Sequence, residues 1–233
     1  MKIRAVLFDA HGVLIEAAEP VGETYARILA RYGVTLPAWR IQDGLRRTLQ
    51  QAPAIPSGQE TSLDMAELER LWWKERVRET LQSVDSTLLL QEFSALFESL
   101  FDHFAEAKSW SLCPSARETL QRLRQNRYKT GVVSNFDHRL IRILEGLGIA
   151  ELLDITAIPS LSGFAKPDPR AFRHALNALD VSADETLFVG HDPALDEAAA
   201  RAAGLFPLSV EGKQNLSSLP TRIKEIATLP VHP

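Results

Sequence analysis

Three short apolar runs in this chain each stop abruptly at polar residues, and that pattern limits the possible folds more than any other feature. Residues 3–8 read IRAVLF and stop at Asp9, TGVV runs into Ser134-Asn135, and TLFVG runs into His191-Asp192. Runs this short and this uniformly apolar suit strands buried on both faces, as in a parallel sheet covered by helices. Helical spacing occupies 114–125, 138–146, 168–179 and an alanine-rich stretch up to Gly204. DITAIPS and LFPLSV read as further strands, and TRIKEIA as one more short helix near the end. Strand–helix alternation of this kind implies an α/β fold: a doubly wound parallel sheet with right-handed crossovers. Ligands bind such sheets at the carboxyl ends of the strands, so the three polar endings are expected to converge on one crevice.

A different pattern fills the space between the first strand and the rest. From about residue 19 to 106 the spacing is helical and strand signals are scarce. The first helix carries Val21, Tyr25, Ile28 and Leu29 on one side and stops near Gly33. A Pro37-led helix follows, then the break QAPAIPSGQ. Ser62, Asp64 and Glu67 mark the start of a third helix, and SVDST separates it from a fourth. The expected division is a core of residues 1–16 and 110–233, with an all-helical insert at 17–109. Phe93, Phe97, Leu100, Phe101 and Phe104 recur three or four apart and read as the insert's interior. Trp72 and Trp73 point about 100° apart on their helix, so one can pack inside the insert while the other faces the crevice or solvent. Core packing is the leading expectation and a substrate-facing lid the alternative.

Composition removes several classes of function. The 233 residues carry a net charge of -4, so no basic field is available for a nucleic-acid backbone. No run reaches the ~18 apolar residues of a membrane span, and the N-terminus lacks the pattern of a signal peptide. The single cysteine, Cys113, excludes an internal disulfide framework. The expectation is a cytoplasmic monomer or homodimer acting on a small-molecule substrate, with neither nucleic acid nor membrane as partner.

Four motifs in order resemble the haloacid dehalogenase-like (HAD) superfamily, particularly subfamily IA, whose helical C1-type cap follows the first strand. FDAHGVL resembles the first motif, VVSNFD the second, AKPDPRAF the third, and VGHD with Asp196 and ARAAG the fourth. The resemblance implies a Rossmann-like core under an inserted cap, with Asp9 as nucleophile. It implies Ser134 as binder of the transferred group and Lys166 as the charge-balancing lysine. Gly12 and Asn135 join the substrate-binding set. The chemistry is coherent: a carboxylate nucleophile divides a difficult displacement into two steps through a covalent intermediate. Attack on a phosphate ester brings anions together, so positive charge must be supplied nearby.

Two positions depart from the family's phosphatases. His11 stands where a second aspartate serves as acid/base, and His191 stands where an aspartate usually binds magnesium. His11 still suits acid/base chemistry, since its unperturbed pKa lies near ~6.5. Asp9, His11, His191, Asp192 and Asp196 are the candidate metal ligands. Magnesium prefers hard oxygen donors, whereas imidazoles suit a transition metal, and a reaction without metal is the third possibility. The leading expectation is hydrolysis of a small phosphorylated metabolite through an aspartyl-phosphate on Asp9. One alternative is a 2-haloacid dehalogenase-type hydrolase, with Arg40 holding the substrate anion and Arg46 and Arg47 as rivals. The other is a binding or regulatory protein that kept the fold and lost turnover. His103, His138 and His174 show no partner pattern and are given no role.

Overall fold

A computed structural model describes residues 2–58, 64–88, 91–210 and 216–228. Its five-stranded sheet has the order β5-β4-β1-β6-β7, built from β1 (Ala5–Phe8), β4 (Lys129–Val133), β5 (Ile155–Ala157), β6 (Thr186–Gly190) and β7 (Phe206–Ser209). Every pairing in it is parallel, with Phe8 opposite both Val132 and Val189. The chain winds from β1 outward to β5, then returns to the other side of β1 for β6 and β7. Winding reverses at β1, so the crevice lies beyond the carboxyl ends of β1, β4 and β6.

Alternation along β1 explains why its sequence is apolar throughout. Val6 and Phe8 enter one core cluster, and Ala5 and Leu7 enter the other. The first cluster is covered by α5 (Ala116–Gln125), α6 (Arg139–Gly146) and α10 (Leu219–Thr228), through Leu120, Leu123, Leu140, Ile143 and Ile223. The second is covered by α8 (Pro169–Leu179) and the short α9 (Ala199–Ala202). A single-turn helix, α7 (Pro159–Ser162), links β5 to the loop before α8. The two sides of the sheet are therefore packed independently but share β1, β4 and β6.

The inserted region holds α1 (Val21–Ala30), α2 (Ala38–Gln51), α3 (Met65–Val84) and α4 (Phe93–His103). Asp64 caps α3 by accepting from the Ala66 amide, while Ser62 lies outside the described residues. A third cluster of Tyr25, Ile28, Leu29, Ile41, Val77, Leu81, Leu96, Phe97 and Leu100 forms the cap's own core. The sequence pattern misses what joins the two regions: β2 (Ile15–Ala17) and β3 (Trp110–Leu112) pair antiparallel, with Ile15 opposite Leu112 and Ala17 opposite Trp110. The alanine-rich segment also differs from expectation, because Pro193–Ala198 is π-helical before the short α9 begins. No described helix is long and apolar enough to cross a membrane.

Candidate active site

Asp9 follows β1 directly, and its amide donates to the Val189 carbonyl at 2.9 Å, so the position is fixed by the neighbouring strand β6. Its side chain is only 9% exposed. Lys166 reaches across with Nζ 3.0 Å from Asp9 Oδ1 and 2.5 Å from Asp196 Oδ1. Asp196 Oδ2 accepts the amides of both His191 and Asp192 at 2.9 Å. That approach requires Gly190, because a Cβ there would lie 2.4 Å from the Asp196 Cβ. The turn after Asp9 needs Gly12 at φ +78°, and a Cβ on it would meet the His191 ring at 3.4 Å. Lys166 is set in place by a reciprocal pair: Asn135 Nδ2 donates to the Lys166 carbonyl, and the Lys166 amide donates to Asn135 Oδ1, both at 2.7 Å.

These neighbours decide the ionisation of the site. Burial pushes the Asp9 carboxyl up, but Lys166, His191 and Ser134 together hold it well below the usual carboxylate range. Burial likewise opposes charge on Lys166, and the two carboxylates overcome it and raise the ammonium above its ordinary value. His191 Nδ1 lies 3.5 Å from Asp9 Oδ2 and 3.6 Å from Asp196 Oδ2. The Asp9 carboxylate raises this imidazole above the usual histidine value, against its partial burial. His11 moves the other way: desolvation in the crevice lowers it despite the pull of Asp9. Two histidines with rings 6.5 Å apart are thus shifted in opposite directions, His191 toward its protonated form and His11 toward its neutral one.

The cap meets this crevice along the loop after Ser134. Trp73 Nε1 on α3 donates to Asp137 Oδ2 at 2.6 Å, and Glu69 Oε2 on the same helix accepts the His138 amide at 2.9 Å and contacts His138 Nδ1 at 2.7 Å. Arg139 clasps Asp137 through Nε and Nη2 and donates from Nη1 to the Phe101 carbonyl. A cavity of about 440 Å³ lies between cap and core, with Asp9, Ser134, Lys166 and His191 on its floor.

Among the described residues, Asp9, His191 and Asp196 place one ligand atom each within 4.8 Å of one another, as does a second group of Glu69, Asp137 and His138. The first group does not fit magnesium. Both oxygens of Asp196 already accept hydrogen bonds, and one oxygen of Asp9 accepts from Lys166. The group as a whole offers two carboxylates and an imidazole, where magnesium demands several hard oxygens in near-octahedral array. Two carboxylates meet the Lys166 ammonium and the His191 imidazole, whose protonated form they favour.

Several expected residues stand elsewhere. Arg40 does not line the cavity; its guanidinium lies 5.8 Å from the Trp39 ring centre, whereas Arg46 does line it. Six residues along α2 turn the side chain about 240° round the helix, which puts the two arginines on different faces. Asp192 is not in the metal-ligating group: its Oδ1 accepts the Ala194 and Leu195 amides and caps the π-helical segment. The His11 side chain is outside that group too. Asn135 borders the cavity, but its amide positions Lys166. Trp73 packs against the cap's core cluster, as core packing predicts, yet it and Trp72 both line the cavity, as the lid alternative predicts, and so do Phe101 and Phe104. Trp110 and Phe136, which no sequence signal singled out, complete the aromatic wall.

Comparison with known proteins agrees with this architecture. A haloacid dehalogenase-like hydrolase family model matches residues 3–204. Haloacid dehalogenase-like hydrolase domain-containing protein 3 of Mus musculus is 30% identical over 94% of this chain and 86% of its own length. A plasmid-borne phosphoglycolate phosphatase of Cupriavidus necator is 31% identical over 86% of this chain and 78% of its own. The structure of the HAD-hydrolase YfnB of Bacillus subtilis, bound to magnesium, superposes with a TM-score of 0.71 at 14% identity, covering 96% of this chain and 100% of that one. With a buried aspartate at the end of the central strand, the lysine bridge and the inserted helical cap all in place, the chain belongs to the haloacid dehalogenase-like hydrolase family.

Proposed function

We propose that this hydrolase cleaves a small phosphate monoester through an aspartyl-phosphate on Asp9. The observation that carries the reading is a buried carboxylate, held ionised by Lys166, at the end of the central strand and open to a cavity under the cap. Asp9 Oδ2 would attack phosphorus as the ester P–O bond breaks. Lys166, His191 and the Ser134 hydroxyl would offset the developing charge on the transferring oxygens. An arriving phosphate dianion adds negative charge beside His11 and favours its protonated form, so His11 can deliver a proton to the leaving oxygen. The neutral ring then takes a proton from the water that attacks the aspartyl-phosphate, releasing inorganic phosphate and restoring Asp9. The relative named phosphoglycolate phosphatase supports phosphate-ester chemistry at this site.

A second reading, 2-haloacid dehalogenase-type hydrolysis, is favoured by the engaged oxygens of Asp196 and Asp9, because displacement at carbon by Asp9 needs no metal. Arg46, at the cavity wall, would then be the partner for the substrate carboxylate. The test of both is an assay on metal-stripped protein with p-nitrophenyl phosphate, in EDTA and with magnesium, manganese or zinc added. Nitrophenol release is expected to persist in EDTA and to fall by about 10³-fold or more in Asp9→Asn. A strict requirement for magnesium would overturn the metal-free charge scheme. Silence from folded protein under every condition would overturn the phosphatase reading. Halide release from 2-halopropionates would then favour dehalogenation, and its absence the binding-protein alternative.

A further inference from the structure

The cavity above Asp9 differs in character from its floor. Cores rarely contain voids larger than a water molecule, so a space of about 440 Å³ is too large to be a packing defect of the cap. Leu45, Trp72, Phe101, Phe104, Trp110 and Phe136 form its walls. Ring contacts hold several of them in fixed mutual orientation: Trp110 lies 6.1 Å from Phe104 and 5.2 Å from Phe136, both edge-to-face.

The charged groups that reach this space are already matched. The Arg139 guanidinium is held by Asp137 and covered by the Phe101 ring, 3.8 Å from its centre. Arg46 stands at a mostly exposed position and pairs with Asp43, and Lys166 is taken by Asp9 and Asp196. Among the described residues, each arginine and lysine lining the cavity already has a carboxylate partner, and only the Arg46 pair is exposed, so the aromatic walls themselves offer no counter-charge to a second anionic group. A carboxylate brought there would lose its water without gaining a counter-charge. Tyr25 also lines the space; burial pushes its hydroxyl pKa up to about 12, so it stays neutral.

We infer that the ester group of the substrate is an uncharged apolar one, a medium-length alkyl chain or an aromatic ring, lodged among these rings while the phosphoryl group meets Asp9. The inference rests on the phosphatase reading above and narrows it: this chain selects against short esters that carry a second anionic group, typified by phosphoglycolate with its carboxylate. Apolar cavities of this size, with polar groups at one end, bind ligands by burying their apolar part and orienting the polar one.

The experiment compares kcat/KM for n-alkyl phosphates from ethyl to octyl, for phenyl phosphate and for phosphoglycolate. Alongside it, binding of n-alkylphosphonates is followed by the change in tryptophan fluorescence, since Trp72 and Trp110 line the cavity. The expected result is a rise of roughly fourfold per methylene, the equivalent of ~0.8 kcal/mol, until the cavity is filled. Phenyl phosphate is expected to exceed ethyl phosphate, and phosphoglycolate to fall below it. A flat or falling series, or phosphoglycolate as the best substrate, would overturn the inference. If no ester is hydrolysed, phosphonate affinity still decides: tightening with chain length upholds the apolar cavity and removes the phosphatase reading, and no tightening removes both.

Discussion

At the end of β6, His191 occupies the place where a carboxylate would give a magnesium ion a hard oxygen ligand, and its ring faces Asp9 and Asp196 instead. Replacing it reverses the local charge. His191→Asp leaves three carboxylates around Lys166, and bound magnesium is expected to stabilise the folded protein. Magnesium at 10 to 100 times its Kd would add about 1.4–2.7 kcal/mol, read as a rise in Tm that wild-type protein does not show. Loss of fold without magnesium, together with no rise when it is added, would mean that the other donors cannot complete the shell. The residues this depends on were visible in the sequence where a strand end or a proline-bounded loop marks them, as for Asp9, Ser134 and Lys166. Arg40 and Asp192 were not resolved, because helix phase decides which arginine faces the cavity. An aspartate before a proline can equally cap the next helix, and here it does.

Elements meet at the contact between α3 and the loop before α6. Glu69 is fully buried, its Oε1 has no hydrogen-bond partner, and burial raises its carboxyl above the usual value, against the opposing hydrogen bonds from His138. A raised folded pKa means that the fold favours the protonated acid. Its contribution is complete below the unfolded value of about 4.3 and is lost as pH rises through the folded pKa. Glu69→Gln is therefore expected to remove a decline in Tm that wild-type protein shows as pH rises from about 4.3 through that raised value. Superimposable pH profiles of the two proteins would contradict this. Asp137 works in the opposite sense, held low by Arg139 despite its burial, so its contribution disappears only on acidification below about pH 4. Neither partner could be read from the sequence: His138 and Glu69 are far apart in the chain and meet only when the cap is down. The β2–β3 ribbon escaped for another reason, since strands of three residues show no period.

For the molecule as a whole, one sheet shared by two apolar clusters makes global stability sensitive to either side. Phe172 on α8 is fully buried and meets Phe188 of β6 edge-to-face at 4.9 Å. Phe172→Ala is expected to lower the urea unfolding free energy by about 3–5 kcal/mol. A loss below about 1 kcal/mol would show that this side of the sheet collapses to fill the gap. The doubly wound order was legible because the strands of that sheet are short, mostly apolar runs alternating with helical spacing, whereas the join between core and cap was not. That join has a consequence for descent. The chain departs at Ala17 and re-enters at Trp110 directly opposite, so the cap is topologically a hairpin loop grown into a body of its own. Closing a loop costs only about 0.6 kcal/mol more for each doubling of its length. A lineage can lengthen, shrink or exchange what hangs between those two residues at little cost to the core beneath. The cavity roof is thus free to drift from one descendant to the next while Asp9 stays where it is.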